Sequence, residues 1–159
     1  MELVDLYDEN RLPLGKTGER SAGRAPGEYR TVVHVCVFDR RGRLLIQQRT
    51  PEKFIWPNLW DLSVGGGVDA GETSRQGAER EFREELGWPL DLGGLRPSVT
   101  VNFDGGFDDF FLVQMDLALE DLTLQKEEVR AVRWAALDEI LDMLAEGTFI
   151  PYPESFLRF

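Results

Sequence analysis

The chain has a single cysteine, Cys36, so it cannot close an internal disulfide. It has no apolar run of membrane-spanning length. Its first residues, Met-Glu-Leu-Val-Asp, lack the basic start and apolar core of a signal peptide. Together these absences favour a reducing cytoplasm and no membrane partner. Net basic charge is missing too. A formal charge of −11 leaves no broad basic surface for a polyanion, which argues against nucleic acid as a main partner. There is no internal repeat, low-complexity tract or interdomain linker. What remains is 159 residues with 42% hydrophobic content, enough for one globular domain over residues 1–159 with a substantial core.

The charges that are present are unevenly distributed. Residues 1–53 carry 10 Lys or Arg against 8 Asp or Glu, whereas residues 54–159 carry 8 against 21. A phosphate-bearing small molecule fits such a layout, held between a metal on the acidic side and Arg or Lys on the other.

The acidic part contains the most informative segment, residues 66–88, GGVDAGETSRQGAEREFREELGW. Gly66, Glu72, Arg80, Glu81, Glu84, Glu85 and Gly87 follow the pattern Gly-x5-Glu-x7-Arg-Glu-x-x-Glu-Glu-x-Gly. Seven specified positions match by chance roughly once in 10^8 starting points at ordinary residue frequencies. At 100° per residue, Glu81, Glu84 and Glu85 share one helical face, and Ala78, Phe82 and Leu86 make a neighbouring apolar stripe. Like charges so placed repel, by a few tenths of a kcal/mol per pair in a bare helix. A compensating cation is therefore expected. Carboxylates are hard ligands suited to Mg2+, with Mn2+ as an alternative, and Mg2+ is commonly shared between a few carboxylates and substrate phosphates. Gly65, Gly66 and Gly67 follow a strand-like stretch, so the backbone there is expected to turn sharply and to approach a ligand closely.

Elsewhere the pattern alternates strands and helices. Glu2–Tyr7 and Leu12–Gly15 suggest an N-terminal hairpin over about 2–15, and residues 16–29 read as loop. Thr31–Phe38 and Leu44–Arg49 flank a turn and form a hairpin signal. Asp61–Val64 reads as a short strand, followed by the glycine loop and a helix over about 73–86 that stops at Gly87. Pro97–Phe103, Asp109–Asp116 and Val129–Trp134 read as strands, and Leu137–Ala145 as a helix ending at Gly147. His34 alternates with valines, as a buried or edge histidine does. Phe107, Phe110 and Phe111 read as packing, and Trp56 and Trp60 as anchors of the loop before the glycines.

Residues 66–88 resemble the Nudix box, the signature of the MutT-like Nudix hydrolases. The resemblance extends to His34–Phe38, Leu44–Arg49, Lys53, Trp56-Pro57, Trp60-Asp61, Glu127–Val129 and Arg133-Trp134, which are similar to the branch holding type I isopentenyl diphosphate isomerases and related hydrolases. It implies an α/β Nudix fold, a mixed β-sheet sandwiched between α-helices. It implies that Glu84, Glu85 and the Gly65 carbonyl hold metal and that Glu81 either holds metal or is the catalytic base. It also pairs Glu72 with Arg80 as a brace and gives Arg49 and Lys53 to the phosphates. Nudix enzymes differ in the source of the base, so Asp108, Asp109, Glu127 and Glu128 are alternative bases or extra metal ligands.

The implied activity is metal-dependent hydrolysis of a diphosphate linkage in a small molecule, a nucleoside diphosphate derivative, by water attack at phosphorus. One alternative is isopentenyl diphosphate isomerisation. The catalytic cysteine and metal-binding histidine of those isomerases correspond here to Gly65 and Gly67, and the proton transfer then lacks its participant. The other alternative is a nucleotide-binding module without turnover, for which four box glutamates are superfluous. A homodimer is compatible with the reading, since dimers are the commonest soluble oligomers.

Overall fold

The computed structural model describes residues 2–159. At the N-terminus, β1 (Leu3–Tyr7) and β2 (Pro13–Glu19) pair antiparallel from Leu3↔Glu19 to Tyr7↔Pro13, with an irregularity between Asp5 and Tyr7. The expected hairpin is therefore present, but its second strand runs on to Glu19 through residues that the sequence assigns to a loop. β2 is exposed along nearly its whole length, so it has no apolar alternation to betray it. Backbone pairing to β1 fixes it instead.

The second hairpin also differs from expectation. β3 (Arg30–Phe38) and β4 (Leu44–Arg49) are paired only at Phe38↔Leu44 and then diverge. Beyond that point β3 lies between β8 (Gly106–Gln114), parallel to it, and β6 (Val64–Gly67), antiparallel. β4 pairs antiparallel with β9 (Val129–Ala135) and with β5 (Trp60–Asp61). Ser63 fills the fork between the diverging strands. Its hydroxyl donates to the Leu45 carbonyl at 2.5 Å and accepts from the Val37 amide at 2.9 Å, so two backbone groups that lost their ladder partners are satisfied. β7 (Val99–Phe103) completes the sheet beside β8.

Helices cover both faces of this mixed sheet. On one side, Val33, Val35, Val37, Leu45 and Val64 pack against Ala78, Phe82 and Leu86 of α1 (Ser74–Leu86), all three of which are fully buried. The stripe read from the sequence is thus the buried stripe. Truncating Phe82 to Ala costs about 3–5 kcal/mol on the usual scale for a core aromatic. On the other side, Cys36, Leu44, Ile46 and Phe110 meet Ile140 and Met143 of α2 (Leu137–Glu146) and Phe156 of α3 (Glu154–Arg158). α3 is five residues long and has no sequence signal beyond Pro153 before it. No helix among the described residues is long and apolar enough to cross a membrane.

The ends of α1 are set locally. Thr73 caps the N-terminus by accepting from the Gln76 amide at 3.2 Å, while the Gln76 side chain accepts from the Thr73 amide at 2.9 Å. At the C-terminus, Gly87 takes φ +63° and donates its N–H to the Arg83 carbonyl at 2.9 Å. A β-carbon at Gly87 would also lie 2.7 Å from Thr123, so two constraints select glycine there.

The three glycines before α1 correct a third expectation. Gly65, Gly66 and Gly67 belong to β6, in register with His34, Val33 and Val32, and none has a positive φ. They make no sharp turn. What they permit is close approach: a β-carbon at Gly66 would overlap the Glu81 carboxylate, one at Gly65 would sit 2.7 Å from the His34 ring, and one at Gly67 would sit 3.0 Å from Arg20 Nε.

Candidate active site

A cleft of about 1300 Å3 lies along β6, walled by α1 on one side and by β3, β4 and the segments 19–21 and 53–56 on the other. Glu81, Glu84, Glu85, Gly65, Arg80, Arg49, Lys53 and Glu128 all line it. The box helix therefore presents its acidic face directly to the bare backbone of β6.

Arg80 organises the loop-helix junction. Its Nε donates to Glu72 Oε1 at 2.7 Å and its Nη2 to Glu72 Oε2 at 3.0 Å, a bidentate pair. The same guanidinium donates to the Gly67 carbonyl at 2.9 Å, to Glu81 Oε1 at 3.0 Å and to Glu84 Oε2 at 3.4 Å. The hydrogen bond to Glu72 leads in raising the Arg80 pKa. Burial alone would raise that of Glu72, but its bonds from Arg80 and the Asp69 amide outweigh burial and lower it. Glu72 and Arg80 thus join the end of β6 to the middle of α1.

The three box carboxylates stand in different surroundings. Glu84 is about half exposed, whereas Glu81 and Glu85 are buried. Burial raises the Glu81 pKa against the pull of Arg80. Glu85 accepts from Gln47 Nε2 at 2.7 Å, and Gln47 also donates to the Ser63 carbonyl at 2.8 Å. Burial, with smaller contributions from the charges of Glu81, Glu128 and Asp61, pushes Glu85 up to about 8. A buried carboxylate so disfavoured as an anion is a site where a bound cation gains most.

The donor set fits Mg2+ or Mn2+ in chemical type, since every candidate ligand is a hard oxygen. Among the described residues, no three acidic or histidine side chains converge into a ready ligand cage. A Mg2+ that keeps waters and takes further ligands from substrate phosphates needs no such cage.

On the cationic side, Lys53 is ion-paired with Glu128, and Arg49 donates Nε to the Ile55 carbonyl at 3.0 Å while its Nη1 lies 4.0 Å from Asp61. Of the alternative bases, Glu128 alone lines the cleft itself. Asp108 reaches it through His34, whose Nδ1 is 2.8 Å from Asp108 Oδ1 and whose ring stacks on Phe110 at 4.8 Å. Burial lowers the His34 pKa, but the Asp108 bond and charge outweigh it and the net shift is upward. Glu127 is exposed and lies outside the cleft. Asp109 is fully buried elsewhere, between Arg11 and Thr100.

Residues 28–154 match the NUDIX domain family. The chain belongs to the Nudix hydrolase family. It is 49% identical over 152 residues to a Nudix hydrolase of Listeria monocytogenes, covering 96% of this chain and 90% of that one. It is 32% identical over 154 residues to an isopentenyl-diphosphate Delta-isomerase of Streptomyces coelicolor, covering 92% of this chain and 77% of the relative. Among solved structures, DR0079 from Deinococcus radiodurans superposes with a TM-score of 0.81 at 24% identity over 99% of this chain and 98% of that one, so the two share the Nudix fold.

Gln47, Asp61, Tyr152, Arg20 and Arg30 are cleft residues of this Nudix protein to which the sequence reading gave no site role, and His34, read there as a buried or edge histidine, joins them. Gln47 holds Glu85, His34 with Asp108 faces Gly65, and Asp61 accepts from the Tyr152 hydroxyl at 2.7 Å. Arg20 and Arg30 bring positive charge to the Gly67 end. The signal available for two of them was the strand period, since Arg30, Val32 and His34 alternate on β3 with buried Thr31, Val33 and Val35. The packing readings of Phe107, Phe110 and Phe111 stand, since all three are buried, and Trp60 packs against the second core; Trp56, read as a loop anchor, is instead exposed and lines the cleft.

Proposed function

We propose that this protein, acting as one Nudix domain, hydrolyses a diphosphate linkage in a small molecule of the nucleoside diphosphate class. The observation that carries this reading is the burial of Glu81 against Gly66, in a glycine stretch without side chains, with buried Glu85 lining the same cleft. Glu84, Glu85 and the Gly65 carbonyl are the groups that would hold Mg2+ or Mn2+. Such an ion acidifies a bound water and offsets phosphate charge. Glu81 takes the proton of the attacking water, and burial suits it to that role by making its carboxylate a stronger base. The oxygen bonds to phosphorus while the bridging P–O bond breaks and the leaving phosphate departs with its electrons. Arg49 and Lys53 orient the diphosphate, which requires Lys53 to exchange part of its pairing with Glu128 for phosphate. Glu128 is the alternative base.

Isomerase chemistry is less well supported. A thiol at position 65 would require the His34 ring to move, and the sole cysteine, Cys36, is buried in the second core with its thiol pushed up to about 12 by burial. The test is phosphate or nucleotide release from nucleoside di- and triphosphates, nucleotide sugars, dinucleotides and isopentenyl diphosphate, with Mg2+ and with chelator. Metal-dependent release, reduced at least ~100-fold in Glu81→Gln and Glu85→Gln, is expected. Wild-type turnover in Glu85→Gln across a Mg2+ titration refutes the assignment. An isomerised product, or nucleotide binding without turnover, transfers it to the corresponding alternative.

A further inference from the structure

The cations around the cleft are nearly all occupied by protein partners. Arg80 is held by Glu72, Glu81 and Glu84, Lys53 by Glu128, and Arg20 by Glu2 at 2.9 Å. Arg24 donates to the Glu19 and Arg20 carbonyls. Arg30 is the exception among the described residues. Its half-buried side chain reaches the cleft from the start of β3, and the ionisable groups acting on it are two further cations, Arg20 and Arg24. Burial first, and then those two charges, lower its pKa. A guanidinium cannot escape by releasing its proton in the physiological range. Folding therefore places a fixed, partly desolvated and repelled positive charge on the wall of the cleft, with no carboxylate of the described residues paired to it, and an anion from outside the chain would relieve it.

Its position specifies which anion. Val32↔Gly67 registers β3 with β6, so Arg30 lies one alternation beyond the last paired glycine on the cleft face. Arg20 Nε lies against Gly67, whose carbonyl binds Arg80, the residue that touches Glu81. The Arg30 end thus adjoins the reaction centre proposed above. Arg49 and Lys53 enter from β4 and the loop after it. We infer that Arg30, flanked by Arg20, seats the terminal phosphoryl group of the substrate's diphosphate. A terminal phosphoryl carries close to two charges at neutral pH and three acceptor oxygens, which matches a forked guanidinium better than a singly charged internal phosphate does. This inference rests on the hydrolase reading and narrows it. Diphosphates with a free terminal phosphoryl are preferred over those esterified at both ends.

Two measurements on the full chain test this, and they fail independently. The first is binding of inorganic diphosphate by calorimetry, with and without Mg2+, to wild type, Arg30→Gln and Arg30→Lys. Arg30→Gln is expected to weaken binding about 10- to 100-fold, the scale of a charge-assisted pair, and Arg30→Lys to fall between, because an ammonium keeps the charge without the fork. The Gln variant should melt no lower than wild type, since it removes a repelled charge; a purely structural arginine would show the opposite. The second is kcat/KM for a nucleoside diphosphate against a dinucleoside diphosphate, where Arg30→Gln should lower the first at least ~10-fold and leave the second within about threefold. Unchanged diphosphate binding in both variants, or equal losses on both substrates, overturns the inference. Arg30-dependent diphosphate binding in a protein that hydrolyses no phosphoric anhydride keeps the subsite and removes the hydrolase reading.

Discussion

Asp109 is one of the carboxylates that the sequence offers as a base, and its surroundings predict that it works on stability instead. Its side chain is 1% exposed, and its oxygens accept from both terminal nitrogens of Arg11 and from Thr100 Oγ1 at 2.7 Å. Burial pushes its pKa up, but the hydrogen bonds from Arg11, Thr100 and Ser74 prevail and the net shift is downward. Arg11→Gln removes the cation and leaves the buried carboxylate with the hydroxyls of Thr100 and Ser74. Breaking a buried pair costs about 3–5 kcal/mol when both partners are enclosed. Arg11 is 35% exposed, so water replaces part of the loss, and about 2–3 kcal/mol is the expected cost. At about 2–4 °C per kcal/mol for a chain of this size, the melting temperature falls by roughly 4–12 °C.

The pH dependence carries the sign. In the wild type the depressed pKa contributes stability that is present above the unfolded value and is lost as pH falls through the folded value. In Arg11→Gln, burial leads and the folded pKa rises above the unfolded one, so the variant is penalised at neutral pH and recovers as Asp109 protonates. Urea melts at pH 7 and pH 4.5 should therefore show the gap between wild type and variant narrowing with acid. Arg11→Gln with Asp109→Asn should be less destabilised than Arg11→Gln alone. A pH-independent gap, or loss of turnover in Asp109→Asn beyond what its melting temperature explains, refutes the reasoning.

Two further outcomes test the reaction centre. Gly66→Ala puts a β-carbon into the Glu81 carboxylate, so Glu81 or β6 must shift; turnover should drop at least ~100-fold with circular dichroism unchanged, the size of loss that a misplaced catalytic group produces. Arg80→Lys keeps the charge but loses the fork that spans Glu72, Gly67 and Glu81; turnover should fall at least ~10-fold in steady-state assays and the melting temperature by several degrees, with unchanged kinetics counting against the brace.

The box was legible because its physics is local. Ala78, Phe82 and Leu86 must repeat every turn to reach the core, Gly87 must end the helix, and Glu81, Glu84 and Glu85 share a face by the same period. The places where expectation and structure part are those where a distant partner decides. β2 carries no apolar alternation and exists through its pairing with β1. Residues 65–67 are strand rather than turn because β3 has an open edge to pair with once β4 diverges from it. Asp108 and Asp109 are adjacent in sequence, yet strand alternation sends one to His34 at the cleft and the other to Arg11 in the opposite direction.

The cationic side of the cleft follows the same logic. Arg49 and Lys53 attract notice through family pattern, but each already has a partner within the chain. Arg30 has no motif around it, and its significance comes from what surrounds it in space: a half-buried charge, two neighbouring arginines and an acidic helix across the cleft. Helix period can mark groups that a metal would neutralise, because they repel one another along one element. It cannot mark a cation whose missing counter-charge belongs to the substrate, and that asymmetry is why specificity at this end of the cleft is read from the fold and not from the box.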